Sequence, residues 1–195
     1  MNEKILFNLE IILVDFFSAY GLTTLLYFII SIFIKNTFLK KADNQSNNFI
    51  SFIGILYLIV FTAAILVELN ILDQESKTYL LQRMFGKYWF GFWLQPILWI
   101  SITQLLRFGT VRKNIFLRLL FSFFLILSIE KIVTITISFH RDYLPSSWTM
   151  SHDTSIFPSN LFLQILIKIF IYLLFVGFFF FIHRKITTWK TAKIK

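Results

Sequence analysis

Long runs of apolar residues constrain the fold of this chain more than any other feature of its sequence. Several of these runs reach about 20 residues, the length that a helix needs to cross a hydrocarbon core about 30 Å thick. Of the 195 residues, 57% are hydrophobic and 26 are Phe, and a soluble domain of this size cannot bury so much apolar surface. The sequence therefore predicts an all-α integral membrane protein.

The apolar runs predict a bundle of about five transmembrane helices that forms a single domain over residues 1–195. Acidic residues interrupt the first run and no small-residue cleavage site follows it, which favours a membrane helix over a signal peptide. We expect an outer loop at 140–160 and a basic tail at 183–195. The five predicted helices cover approximately residues 5–34, 49–69, 88–106, 117–139 and 161–182.

The distribution of Lys and Arg predicts how this bundle is oriented. The first and third loops together with the tail hold twelve of these residues, whereas the N-terminus and the other two loops hold five. The side that is richer in Lys and Arg is expected to be cytoplasmic. This places the N-terminus outside and the C-terminus in the cytoplasm. The basic tail is interpreted as an orientation signal or a contact with anionic lipid, and not as a nucleic-acid site.

The absence of Cys and the positions of the three His residues exclude several kinds of site. Without Cys the chain has no disulfide, no thiolate nucleophile and no Cys ligand for zinc or an iron–sulfur cluster. His140, His152 and His183 lie at or beyond the ends of apolar runs, which argues against a haem held by two His inside the bundle. No Gly-rich phosphate loop, nucleophile elbow or zinc-protease helix occurs. We therefore expect this chain to bind no metal and no cofactor of its own.

The stretch 130–148, which reads EKIVTITISFHRDYLPSSW, places an acid and a base side by side inside an apolar run. Ionisable groups within a membrane are costly and are therefore candidates for function. Counted from the predicted outer helix ends at about 1.5 Å per residue, polar residues of four helices fall about 10–15 Å deep. The members of this predicted polar layer are Asp15, Gln95, Glu130, Lys131 and Lys168.

The two acids and two bases of the polar layer are expected to neutralise each other. Adjacent residues on a helix point about 100° apart, so Glu130 and Lys131 should face different neighbours. We predict that Glu130 pairs with Lys168 and that Asp15 pairs with Lys131.

A polar stripe on the fourth predicted helix has two interpretations. Glu130, Thr134 and Ser138 recur every four residues, from the polar layer to the outer loop. The stripe is either a proton or ligand path from the outer aqueous phase, or a set of contacts that hold the bundle together. The residues expected to contact a partner from the outer loop are His140, Arg141, Asp142 and Trp148.

Two segments carry a resemblance to a known family. They are residues 130–148, and GKYWFGFWLQPILWISITQLLRF at 86–108 with VRKNI at 111–115. These segments are similar to the C-terminal half of the NrfD-like (polysulfide-reductase-type) membrane subunit of bacterial alternative complex III, a quinol:cytochrome c oxidoreductase. Lys131 stands where the family has Arg, which keeps the charge and loses the bidentate fork.

The resemblance implies that the chain is a half-length membrane subunit of a quinol-oxidising electron-transfer complex, in the inner (cytoplasmic) membrane of a bacterium. The family's quinol pocket lies mainly in its N-terminal bundle, so a structural or proton-path role is implied here in place of a complete quinol site. Quinone then belongs to the complex, and the implied partners are other membrane subunits and a periplasmic haem or iron–sulfur subunit. The alternative is a non-redox membrane protein of envelope assembly, secretion or transport that uses the same half-bundle.

Overall fold

The structure is a computed structural model that describes residues 3–34, 36–87, 89–128 and 160–193. Within these ranges all regular secondary structure is helical, as the sequence predicts. The stretch 130–148 lies outside them. The candidate residues that consequently lie outside the described part are Glu130, Lys131, Thr134, Ser138, His140, Arg141, Asp142 and Trp148.

Seven helices make up the described residues. In chain order they are α1 (Glu3–Phe33), α2 (Thr37–Ile71), α3 (Gln74–Phe85), α4 (Trp89–Leu105), α5 (Gly109–Lys113), α6 (Ile115–Ile126) and α7 (Leu161–Lys193). Three of them, α1, α2 and α7, contain a segment that is long and apolar enough to cross a membrane. The all-α prediction is confirmed for the described residues, and three candidate spans are found there against the five predicted over the whole chain.

The first two predicted helices, 5–34 and 49–69, leave a polar loop at 35–48 between them. This prediction is wrong, because α2 already begins at Thr37. Asn36 caps the helix, and its side-chain Oδ1 accepts a hydrogen bond from the Phe38 N–H at 2.9 Å. Residues 37–53 contain no Gly or Pro, so the helix continues without a break from its polar first turns into the apolar segment. Polarity alone does not distinguish a loop from a polar helix end.

The predicted helix at 117–139 also differs from the structure. Its first part is α6, which ends at Ile126, where Leu127 has extended backbone. No Gly or Pro in the sequence marks this end. The residues of the predicted helix beyond 128 lie outside the described ranges.

Two other segments are more helical than their polarity indicates. The segment 73–87, which contains both acidic and basic residues and lies between the second and third predicted helices, contains α3. This helix buries Leu80 and Met84. α7 begins at Leu161 as predicted, but it continues past 182 to Lys193, so the described part of the basic tail is helical.

Helix α1 lies at the centre of the bundle, in contact with α2, α6 and α7. Its aromatic residues point to different neighbours. The Phe17 ring lies 5.3 Å from that of Tyr57 on α2 and 5.4 Å from that of Trp99 on α4. The Phe16 ring lies 5.8 Å from that of Phe49 on α2. The Phe17–Trp99 contact is tilted and the other two are edge-to-face. Ring contacts of these kinds add to the burial of apolar area and fix the relative positions of the helices.

Two glycines allow close contact between helices. A Cβ atom built on Gly21 of α1 would lie 2.6 Å from Ile126 Cγ1 and 2.7 Å from the carbonyl oxygen of Ser122, both on α6. A Cβ atom on Gly54 of α2 would lie 2.7 Å from the Cβ of Thr103 on α4. Small residues at such points let helix backbones approach closely, which is how helices commonly associate in membranes.

Replacement of either glycine by Ala is expected to destabilise the bundle. The added methyl group pushes α1 away from α6 in Gly21→Ala and α2 away from α4 in Gly54→Ala. Such overpacking typically lowers the free energy of unfolding by about 1–3 kcal/mol. Thermal unfolding of the detergent-solubilised protein measures the effect. Gly177→Ala on α7 is the matched control, because a Cβ there meets nothing within 4 Å. Equal stability of Gly21→Ala, Gly54→Ala and Gly177→Ala would contradict the close packing.

Candidate functional site

The structure joins Asp15 of α1 to Lys168 of α7, two residues of the predicted polar layer. Lys168 Nζ lies 2.6 Å from Asp15 Oδ1. The Lys168 side chain is 18% exposed and that of Asp15 is 29% exposed, so the pair lies at the edge of the bundle. Each charge neutralises a partner that would be costly to hold alone within a membrane.

This contact was not among the predicted pairs. Glu130 and Lys131, the expected partners of Lys168 and Asp15, lie outside the described residues, so those two contacts stay predictions. Depth along a helix gives the level of a side chain but not the direction in which it points. Gln95, the third described member of the layer, is half-buried on α4 beside Pro96.

A second ion pair joins Asp43 of α2 to Arg118 of α6, and it is more deeply buried than the first. Arg118 Nη1 lies 2.9 Å from Asp43 Oδ2, and Nη2 lies 2.5 Å from Oδ1. The Arg118 side chain is 4% exposed and that of Asp43 is 11% exposed. Two parallel hydrogen bonds from a planar guanidinium fix the orientation of both groups as well as their distance.

Arg118 also contacts α1 through two aromatic rings. Its guanidinium carbon lies 4.9 Å from the centroid of the Phe28 ring and 5.5 Å from that of the Tyr27 ring. A cation over a ring face at these distances is attracted by the ring electrons. One arginine side chain therefore connects α1, α2 and α6.

Two buried tyrosines extend the polar region around Asp43. The Tyr20 hydroxyl donates to Asn47 Oδ1 at 2.8 Å, and Asn47 Nδ2 donates to the backbone carbonyl of Asp43 at 2.7 Å. The Tyr172 hydroxyl on α7 lies 2.8 Å from Ser46 Oγ and 3.2 Å from the Ser46 carbonyl oxygen. We call this group the Asp43 cluster; its members are Tyr20, Asp43, Ser46, Asn47, Arg118 and Tyr172.

Polar contacts between α2 and α4 lie one turn further along α2. Ser51 Oγ is 2.8 Å from the Asn47 carbonyl oxygen and 2.9 Å from the Thr103 carbonyl oxygen. The side-chain Nε2 of Gln104 donates to the Ser51 carbonyl oxygen at 3.0 Å. These hydrogen bonds connect the Asp43 cluster, which joins α1, α2, α6 and α7, to α4 as well.

The Asp43 cluster has a sequence signal that was missed. Asp43, Asn47 and Ser51 recur every four residues, and Arg118 and Ser122 are also four apart. On helices this spacing places side chains on one face. The pattern on α2 is hidden once residues 35–48 are interpreted as a loop. Arg118, at the start of the fourth predicted helix, was used only as one of the positive charges that set the orientation.

Some hydrogen-bonding capacity in this region is not used within the described protein. Arg118 Nε and the hydroxyl of Ser122, which is fully buried, have no hydrogen-bond partner among the described residues. The remaining polar groups of the Asp43 cluster form an interhelical network that neutralises charge and positions four helices. The chemistry of this network is that of structural hydrogen bonds and an ion pair between helices.

Loss of the Arg118 side-chain charge is expected to destabilise the protein strongly. Arg118→Met leaves the Asp43 carboxylate buried without its partner, which typically lowers the free energy of unfolding by about 3–5 kcal/mol. The double variant Asp43→Asn with Arg118→Met removes both charges and should recover part of this loss. Denaturant unfolding in detergent compares both with Arg83→Met, an exposed position on α3. The buried ion pair is contradicted if Arg118→Met unfolds like Arg83→Met.

No family model, no curated protein and no solved structure matches this chain. Its two ion pairs and the Asp43 cluster are therefore interpreted from their own chemistry.

Proposed function

We propose that the chain is a half-length NrfD-like membrane subunit of a quinol-oxidising electron-transfer complex. Its role there is structural or that of a proton path, and the complete quinol site lies elsewhere in the complex. The observation that carries the proposal is the Asp15–Lys168 contact of 2.6 Å between two candidate spanning helices. It is supported by the resemblance of residues 86–108 and 130–148 to that family.

The Asp15–Lys168 pair is less buried than the Asp43–Arg118 pair, so a group from water or from a partner helix can approach it at the edge of the bundle. A carboxylate within a membrane-spanning helix is a candidate proton carrier when it is neutralised and still reachable. Asp15 is 29% exposed, whereas Asp43 is 11% exposed. In the proposed function Asp15 and Lys168 belong to the proton path together with Glu130, Thr134 and Ser138, and the Asp43 cluster holds the helices.

The exposed apolar faces support contacts with other membrane subunits. Only 11% of the most apolar 18-residue segment of α7 is buried within the described protein. Phe170, Phe178 and Phe181 are all more than 60% exposed. Such faces are covered by lipid or by helices of partner subunits. In an isolated half-bundle the exposed face of α7 is accessible to both. On the outer side the partner is a periplasmic haem or iron–sulfur subunit, which contacts His140, Arg141, Asp142 and Trp148.

The orientation belongs to the same proposal, with the N-terminus outside and the C-terminus in the cytoplasm of a bacterial cell. Two contacts support the placement of the first and third predicted loops on one side. Asp43 pairs with Arg118, and Arg112 Nη1 donates to Asn48 Oδ1 at 3.4 Å. Both contacts join regions that the distribution of positive charge assigns to the cytoplasm.

The chain contains no Cys, so single Cys variants test this orientation directly. Gln74→Cys at the start of α3 should be labelled by a membrane-impermeant maleimide applied to intact cells, because the segment between α2 and α4 faces outward. Lys113→Cys in α5 should be labelled only after the cells are opened. Both residues are exposed in the structure. The opposite labelling pattern would reverse the proposed orientation.

A second candidate function is that of a non-redox membrane protein in envelope assembly, secretion or transport. The structural chemistry of the Asp43 cluster supports it, since the most deeply buried polar groups that the structure describes hold helices together and the network needs no redox partner. In that case the Asp15–Lys168 pair is also a structural contact.

Purification of the tagged full-length chain from its native membranes separates the two functions. We expect a haem or iron–sulfur subunit to co-purify, detected by visible absorption or electron paramagnetic resonance, together with quinol oxidation by the complex. Asp15→Asn should leave the complex assembled and slow proton-coupled turnover at least tenfold, whereas the exposed Asp73→Asn should not change it. A preparation without any redox partner overturns the proposal in favour of the non-redox function.

A further inference from the structure

A cleft with one polar and one apolar side opens between α2, α7 and the turn that follows α4. Its volume is about 330 Å³. Arg107, Asn48 and His183 line the polar side, and Phe52 and Phe179 line the apolar side. None of these described lining residues is acidic. The cleft therefore offers cationic and hydrogen-bonding groups directly beside apolar rings.

The polar side of the cleft has donors available for an anion. Within the described part of the chain, the only hydrogen bond from the Arg107 guanidinium goes from Nη1 to Gln104 Oε1 at 3.3 Å. Its other N–H groups remain available. Arg112 adds a second positive charge at the edge, because it donates to the lining residue Asn48 and to the Arg107 carbonyl oxygen. Guanidinium groups bind phosphate oxygens well, often through two parallel hydrogen bonds.

The apolar side of the cleft is preformed for a hydrocarbon chain. The Phe52 and Phe179 rings lie 5.7 Å apart, and the Phe179 ring stacks on the His183 imidazole with centroids 6.2 Å apart and an angle of 3°. Phe52 is 49% exposed and Ile55 is 39% exposed, so apolar surface continues from the cleft along α2. This surface belongs to α2, a candidate membrane span by its length and composition.

We propose that this cleft binds an anionic phospholipid. The phosphate group lies against Arg107 and His183, and an acyl chain follows Phe52, Ile55 and Phe179 along α2. Charge complementarity selects a headgroup with net negative charge, since the positive end of a zwitterionic headgroup would meet the Arg107 and Arg112 side chains. The lipid connects the end of α4 to α7 at a point where the protein itself makes few contacts.

Lipid retention by the purified full-length chain tests this site. Native mass spectrometry would follow the binding of phosphatidylglycerol and, separately, of phosphatidylcholine. We expect phosphatidylglycerol to bind at least fivefold more tightly. Arg107→Gln should weaken its binding about fivefold, the effect typical of one basic side chain near a lipid headgroup. Arg107→Lys keeps the charge and should retain most of the affinity.

Control variants separate this site from a general effect of positive charge. Arg83→Gln, on α3 and outside the cleft, removes the same charge and should bind phosphatidylglycerol like the unchanged protein. His183→Gln is a second cleft variant that should also weaken binding, and it decides the matter if Arg107→Gln fails to fold. The same loss in Arg83→Gln and Arg107→Gln, or equal binding of the two lipids, would overturn the proposal. So would displacement of phosphatidylglycerol by millimolar inorganic phosphate, which would identify a site for free phosphate.

The lipid site does not depend on the redox proposal. A chain without any haem or iron–sulfur partner would still bind phosphatidylglycerol through Arg107, and a redox complex that binds both lipids equally would still lack the site. The two experiments therefore fail independently.

Discussion

The buried ion pair between Asp43 and Arg118 is the interaction on which the described bundle most depends. It joins α2 to α6, and the same guanidinium lies over the Tyr27 and Phe28 rings of α1. Desolvation makes either charge costly alone, so the pair stabilises only the arrangement in which the helices hold it closed. The close packing of α1 against α6 at Gly21 is compatible with that arrangement, because a side chain at this position would clash with Ile126.

The two ion pairs are connected through α1 and α7. Tyr20 and Tyr172 belong to the Asp43 cluster, and Asp15 and Lys168 lie about one turn before them on the same two helices. The Tyr20 and Tyr172 rings are 6.4 Å apart. A substitution at Asp15 can therefore affect the Asp43 cluster through the packed tyrosine rings. A substitution on the exposed face of α7 affects only the contact with lipid or a partner.

The sequence predicts the apolar part of this fold well and its polar part poorly. The extents of α1 and α4 and the start of α7 follow from the length of the apolar runs, because lipid requires about 20 apolar helical residues. The early start of α2 and the presence of α3 were missed, since polar residues form helices as readily as loops when no Gly or Pro intervenes. The Asp15–Lys168 contact was missed although both residues belong to the predicted polar layer, because sequence spacing does not give the direction of one helix relative to another.

The polar stripe that the structure describes on α2 bears on the stripe predicted at Glu130, Thr134 and Ser138. Asp43, Asn47 and Ser51 have the same spacing of four, and each bonds to a neighbouring helix or to its own backbone. Regular spacing of polar residues is therefore compatible with a purely structural role in this protein. A proton path also requires water at an ionisable group. In the proposed function Asp15 is that group, because its pair with Lys168 lies at the edge of the bundle whereas the Asp43–Arg118 pair is buried. The proposed proton path and the stability of the bundle are therefore separable at Asp15 and Lys168, where a neutral substitution alters charge at the edge of the bundle and leaves the buried ion pair intact.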